Sequence, residues 1–407
     1  MERIRKWEQN CAVLRESKFR TKYQIESEII GEGSFGTVLN AKCRASQEQR
    51  AVKAIRRIEK VSMLSIELQL LAELGGHFNI VRFYDFFHVL GSVAIVMEYF
   101  PHCTVSELLM YARSDANFSL LYFKNLLIAL SYLHMNHFVH RDIKLSNFLY
   151  SPAQNSFRLV DFGLATIDRS DTEISREAAI KSFGNHAECE NCRRQSSACI
   201  LCKGKPRRDH YHMVGTPGAR APEMLFGVGI TSSPVDIFSA GLCLLSLVGL
   251  KHPLFMPKDE TENIMNLACL LGSKTLEDVA ALEGIAVTIS EFRPPVDFCR
   301  FILMLRFGFN MVNDFSNLIP FVNCQMCAEN SADNDAGNCF CRPAFDEKRF
   351  RTDGVHSDLL ILYSDLLYLA LEPDRKKRYN ANQLLAIIDL YEKRAEFVPR
   401  PFSNQDE

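Results

Sequence analysis

HRDIKLSN, residues 140–147, and VDFGLA, residues 160–165, decide how this chain is read. The first sets Asp142, Lys144 and Asn147 close together behind a His-Arg pair; the second puts Asp161 ahead of Phe-Gly. Toward the N-terminus, AVKAI at 51–55 places Lys53 in an alternating apolar run of strand character. Further upstream, GEGSFGTV at 31–38 spaces Gly31, Gly33 and Gly36 as G-x-G-x-x-G, with Val38 behind them. That glycine pattern alone is weak, and a dinucleotide-binding turn would need a helix directly after it; here a strand follows. A lone strand lysine is ordinarily a solvated charge. Toward the C-terminus, GARAPE closes the series at 218–223.

In this order the five motifs match the protein-kinase signature set, and over nearly its whole length the chain resembles a eukaryotic protein kinase. The fold expected is α+β and bilobal. After a lead-in at 1–22, residues 23–100 alternate short β-rich runs with one helical pattern, IELQLLAEL, as a small N-lobe. Residues 101–400 carry long helical patterns as a larger C-lobe, and 401–407 form a tail. Two polar, cysteine-bearing inserts interrupt it, at 167–212 within the activation segment and at 312–354.

With 47% hydrophobic and 24% charged residues, the chain can bury a large core, which excludes disorder as its overall character. A net charge of -2 gives no support to direct nucleic-acid binding. No stretch approaches eighteen uninterrupted apolar residues, so no membrane partner is expected. No secretory signal follows the charged start, so the fourteen cysteines are expected to be reduced, favouring metal binding or burial over disulfides.

The chemistry of phosphoryl transfer explains the residue types, because it needs charge neutralisation and alignment more than covalent help. The resemblance implies ATP and Mg²⁺ as cofactors. Gly31, Gly33, Gly36 and Val38 then cover the nucleotide, and Lys53 holds its α- and β-phosphates. Glu67 orients Lys53 from the single helix of the small lobe; Glu73 is about a turn and a half further on. Asp161 and Asn147 bind Mg²⁺, Asp142 receives or aligns the proton of the attacking hydroxyl, and Lys144 marks serine/threonine kinases. Met97 guards the back of the adenine pocket, and Glu98 to Phe100 form the hinge. Leu145 stands where the family usually has proline, and Phe238 where it has tryptophan. Asp236 resembles the aspartate that anchors the catalytic loop, and Glu223 and Arg378 an internal ion pair.

AECENCRRQSSACILCKGK at 187–205 has Cys189, Cys192, Cys199 and Cys202 in a C-x2-C-x6-C-x2-C pattern, the spacing of a structural tetrahedral Zn²⁺ site. His186, His210 and His212 are substitute ligands. The second group, Cys324, Cys327, Cys339 and Cys341, is less regular and reads equally as zinc ligands or free thiols. KGKPRR at 203–208 reads equally as a nuclear-entry signal or a solvated basic loop.

The cysteine-bearing activation segment, the double glycine after the small-lobe helix, HRDIKLSNFLY, GTPGARAPE and the second late insert together resemble the cell-division-cycle-seven kinases. That resemblance implies a nuclear serine/threonine kinase that triggers replication origins by phosphorylating the mini-chromosome maintenance helicase, together with a regulatory subunit of the dumbbell-former-four type. It also implies target Ser or Thr followed by an acidic residue, met by Arg220, with Thr216 contacting the catalytic Asp and Lys; an internal ion pair is the other reading of Arg220. Met213 supplies no second cation there. A serine/threonine kinase of another subfamily is the alternative; a pseudokinase scaffold is disfavoured by the intact Lys53, Asp142, Asn147 and Asp161.

Overall fold

The computed structural model describes residues 11–33, 36–57, 61–168, 214–228, 232–307 and 357–397. The fold is α+β, and its residues cluster into two compact units, one of Met1–Val105 with Tyr132–Ile167 and one of Ser106–Ser131 with Asp168–Glu407. The segment holding HRDIKLSN and VDFGLA thus belongs to the same unit as the β-rich N-terminal third, across the boundary drawn at residue 100 from the sequence.

In the first unit, β1 (Tyr23–Gly33), β2 (Gly36–Cys43), β3 (Gln49–Ile55), β4 (Phe83–Val89) and β5 (Ser92–Glu98) form one antiparallel sheet of order β1-β2-β3-β5-β4. β3 and β5 are interior strands of the sheet and are buried over most of their length, β5 through a near-continuous apolar run and β3 with Arg50 and Lys53 enclosed among its apolar residues. Two short ladders complete the unit: β6 (Phe138–Val139) with β9 (Thr166–Ile167), and β7 (Phe148–Ser151) with β8 (Ser156–Leu159).

The lead-in is part of this unit's core. Two short helices, Ala12–Arg15 and Ser17–Lys22, bury Cys11, Val13, Leu14 and Phe19 against Leu39, Ala41, Val52, Ala54, Ala94 and Val96 of the sheet. Backbone bonds register the plug, since the Val13 N–H donates to Ser92 Oγ at 2.8 Å and the Arg44 N–H to the Lys22 carbonyl at 2.8 Å. Phe19, Tyr23 and Phe87 close around one another with centroids 5.3 to 6.0 Å apart, in the tilted and edge-on geometries that aromatic quadrupoles favour. Burial, with Asp85 nearby, pushes the Tyr23 phenol up to about 12.

The second unit is helical. Pro234–Val248 is buried on every side from Val235 to Val248, enclosing Asp236, Ser239 and Ser246 among its apolar residues. Ser357–Ala370 packs on it at Gly241, where a Cβ would stand 3.0 Å from Ala370 Cβ. Phe298–Phe307 is tied to Ser357–Ala370, the Phe298 N–H donating to Tyr368 Oη at 3.2 Å. Phe118–Met135, which belongs to this unit up to Ser131, is the one helix among the described residues long and apolar enough to cross a membrane. Its Leu120, Phe123, Leu126, Leu127 and Leu130 are buried in the protein.

Phe19→Ala empties a fully enclosed site between the lead-in and the sheet. It is expected to lower unfolding stability by about 3–5 kcal/mol, read by denaturant titration; a loss under about 1 kcal/mol would show that the lead-in does not contribute to the core.

Candidate active site

Lys53 sits in the middle of β3, opposite Val38 on β2 and Ile95 on β5. Its side chain is 7% exposed, and Nζ lies 2.6 Å from Glu67 Oε1 and 2.8 Å from Asp161 Oδ1. Glu67 is placed by the helix Val61–Leu74, whose Glu67, Leu70, Leu71 and Leu74 recur at helical spacing on the buried face. A carboxylate on an apolar stripe must be paired, and Lys53 pairs it. Glu73 lies on the exposed side, bonded to Gln69 at 3.0 Å. The helix stops at Gly75-Gly76, where a Cβ on Gly75 would fall 2.4 Å from the Leu71 carbonyl oxygen. Burial alone would push the Lys53 ammonium down, but the Glu67 and Asp161 carboxylates together outweigh it and raise it above its ordinary value.

Asp161 takes a left-handed backbone conformation, φ 62° and ψ 71°. Desolvation raises its carboxyl, and the Lys53 ammonium, with a smaller contribution from Lys144, reverses that, leaving it below its ordinary value of 3.8. The sign follows: Asp161 contributes stability above pH 3.8 and loses it as pH falls through its depressed value. Lys53 contributes below 10.5 and loses it as pH rises through its elevated one.

Asp142, Lys144 and Asn147 meet in one turn. Lys144 Nζ lies 2.8 Å from Asp142 Oδ2, and Asn147 Nδ2 donates to the Asp142 carbonyl at 2.9 Å and to Oδ2 at 3.2 Å. His140, whose place in HRD suggested no role of its own, organises this turn. Its Nδ1 accepts from the Asp142 N–H at 3.2 Å, so Nε2 carries the proton and donates to the Val160 carbonyl at 3.1 Å. Arg141, at φ 68°, donates from Nε to the Leu164 carbonyl at 2.6 Å. The Val160 N–H donates to the Asn147 carbonyl at 2.9 Å. These bonds tie HRDIKLSN to VDFGLA.

In the hairpin, Gly31 pairs with Val38 and Gly33 with Gly36. Gly36 has φ 146°, and a Cβ there would meet the Ala54 carbonyl oxygen at 2.5 Å, so β2 approaches β3 beside Lys53 only with glycine at this position. Met97 is buried on β5 between Ala51 and Phe83. Glu98 is held by Arg158, a residue no motif marks, with Nε to Oε2 at 2.8 Å. The Arg158 guanidinium also lies 5.1 Å over the Phe100 ring.

The second unit holds the remaining candidates. Arg220 is buried, donating to the Gly215 carbonyl from Nε at 3.1 Å and Nη2 at 2.7 Å, and to Glu260 from Nη1 at 2.7 Å. Thr216 is half-buried in the same turn. Arg378 grips Glu223 with both Nη atoms, at 2.7 and 3.1 Å, and its guanidinium lies 4.9 Å over Phe238. Asp236 is buried at the start of its helix. Cys189, Cys192, Cys199 and Cys202 and the group Cys324, Cys327, Cys339 and Cys341 lie outside the described residues. Among the described residues no cluster of His, Cys, Asp and Glu has the makings of a metal site with three or more such ligands.

A protein kinase domain model matches residues 23–387. The chain belongs to the protein kinase family. Cell division control protein 7 homologs 1 and 2 of Encephalitozoon cuniculi are each 30% identical to it over 268 residues, 63% of this chain and 73% of theirs. The cell cycle serine/threonine-protein kinase hsk1 of Schizosaccharomyces pombe is 30% identical over 276 residues, 66% of this chain and 53% of that protein. The protein is therefore a serine/threonine kinase of the cell-division-control-seven type, an enzyme that uses ATP and Mg²⁺.

Two substitutions test this geometry. Glu67→Ala removes the carboxylate nearest to Lys53 among its described partners and is expected to lower kcat/KM for ATP on the order of 100-fold. Arg158→Ala releases Glu98 and Phe100 and is expected to raise KM for ATP about threefold with kcat nearly unchanged. Steady-state kinetics at varied ATP separates the two; an unchanged KM in Arg158→Ala would remove the brace from the account.

Proposed function

We propose that this kinase transfers the ATP γ-phosphate to Ser or Thr followed by an acidic residue, on the mini-chromosome maintenance helicase at replication origins. The observation that carries the catalytic part is the buried Lys53–Glu67 pair reaching the partly exposed Asp161, in the same unit as Asp142, Lys144 and Asn147. The replication part is supported by the likeness to relatives named for cell division control and the cell cycle.

The residues fit the cofactor the family implies. Asp161 and Asn147 offer the hard oxygen donors that Mg²⁺ prefers, and Lys53 supplies a fixed cation for phosphate oxygens. When bound, Mg²⁺ neutralises charge on the phosphates. Gly31 to Val38 cover the nucleotide with backbone alone, and Met97 with Glu98 to Phe100 border the base. Asp142 receives or aligns the proton of the substrate hydroxyl, while Lys144, bonded to its Oδ2, holds its negative charge in place. Thr216 and Arg220 address the substrate segment.

In this reading Cys189, Cys192, Cys199 and Cys202 hold a structural Zn²⁺ that folds the activation-segment insert, supported by their spacing. The protein acts in the nucleus with a regulatory subunit of the dumbbell-former-four type.

The test is phosphorylation of the helicase's acidic N-terminal tails by the purified kinase, with and without that subunit and with Asp161→Ala as control. Activity that requires the subunit and disappears in Asp161→Ala is expected. Strong activity on unrelated proteins without any subunit would point to another kinase subfamily, and no activity in any arm would leave a scaffold.

A further inference from the structure

The turn Gly215–Arg220 is a rigid mount. Gly218, at φ 82°, lies where a Cβ would stand 2.7 Å from the Phe255 carbonyl oxygen, and Ser239 Oγ donates to the Ala219 carbonyl at 2.7 Å. Arg220 is buried on this mount with Nε and Nη2 fixed to the Gly215 carbonyl, which directs Nη1 toward Glu260.

Glu260 opens the helix Glu260–Leu271 within the acidic run DETE. The helix start is satisfied without it: Asp259 caps the Glu262 N–H at 2.9 Å, and Glu262 accepts the Lys258 N–H at 2.7 Å. The Glu260 carboxylate is thus the one of the three acids whose described bond goes to Arg220. The two partners differ sharply, since the arginine side chain is 7% exposed and the glutamate 43% exposed. A fixed, buried cation here carries a solvent-facing anion on a flexible side chain, and an ion pair with one half-exposed partner is weak enough to be exchanged.

We propose that Glu260 is a specificity-determining residue that occupies, before substrate arrives, the seat on Arg220 taken by the anionic side chain after the target Ser or Thr. The proposal rests on the acidic-substrate reading above. An incoming anion must displace Glu260, so the native pair lowers the advantage of every acidic substrate and leaves neutral ones unaffected by this exchange. A phosphate, with more charge and three acceptor oxygens, displaces the glutamate more readily than a carboxylate does.

The experiment compares kcat/KM of the kinase with its regulatory subunit for three peptides that differ only after the target serine, carrying Ala, Asp or phosphoserine. Wild type, Glu260→Gln, Glu260→Ala and Arg220→Gln are measured, with thermal unfolding to verify folding. Both Glu260 variants are expected to raise the Asp-over-Ala ratio roughly fivefold, the size of a half-exposed ion pair, and the phosphoserine ratio less; Arg220→Gln is expected to bring both ratios to about one. A wild-type preference for Asp that stays the same or falls in both Glu260 variants would overturn the proposal while leaving the acidic-substrate reading in place. No preference in wild type, emerging only in the Glu260 variants, would support it and require the substrate reading to be revised. No preference in any of the four would overturn both.

Discussion

Lys53 is an ammonium group enclosed in a sheet, and it remains charged there because two carboxylates approach it from different parts of the chain. Enclosing a charge in protein costs several kcal/mol unless the partner geometry is good. That single constraint fixes three elements at once. β3 must present Lys53 toward the helix Val61–Leu74, the helix must turn Glu67 inward on its leucine face, and the Asp161 backbone must enter the left-handed region to bring its carboxylate within 2.8 Å. A buried ion pair is poor evidence of stability, since apolar residues of similar size often serve as well. Its retention here makes sense as pre-organisation, a cation held where phosphate oxygens are to be bound.

The surroundings of the triad serve the same end by different physics. His140 fixes the Asp142 backbone and the Val160 carbonyl with its two ring nitrogens, so Asp142 and the residue before Asp161 share one support. Glycine at position 36 allows two strands to approach more closely than any side chain permits. Arg158 reaches from β8 to Glu98 and Phe100, and the lead-in helices seal the sheet with Phe19. In the helical unit, Arg378 satisfies Glu223 and three backbone carbonyls at once, which removes the usual penalty of an enclosed guanidinium.

The sequence was most legible where one residue type is chemically obligatory. Lys53 with Glu67, and Asp142 with Lys144 and Asn147, could be named because they stand in motifs that resemble the kinase set, and the structure brings each group together. Glu67 was preferred to Glu73 because its distance from the following strand resembles the kinase pattern, and it lies on the buried face of its helix. The five strands of the sheet and the long helices follow from apolar periodicity. The lead-in was harder to read, because Ala12–Arg15 and Ser17–Lys22 are too short to show a period and their charged neighbours resemble a solvated tail. Arg158 and Glu260 were invisible for another reason: each acts through a single long-range ion pair, and a charged residue on a strand or at a helix start is ordinarily a surface residue. Arg220 was legible as a residue of interest, but whether its bond runs inward or to a substrate is decided only by where Glu260 lies.

If the Lys53–Glu67–Asp161 contact is the assembled phosphate site, its Lys53–Glu67 pair persists when nucleotide binds. The most direct measurement is a crystal structure of the kinase with a non-hydrolysable ATP analogue and Mg²⁺. The account predicts Lys53 Nζ in hydrogen-bond reach of α- and β-phosphate oxygens with the Glu67 pair kept and Asp161 on the metal. A bound nucleotide with Lys53 away from its phosphates, or with Glu67 turned away from Lys53, would contradict it.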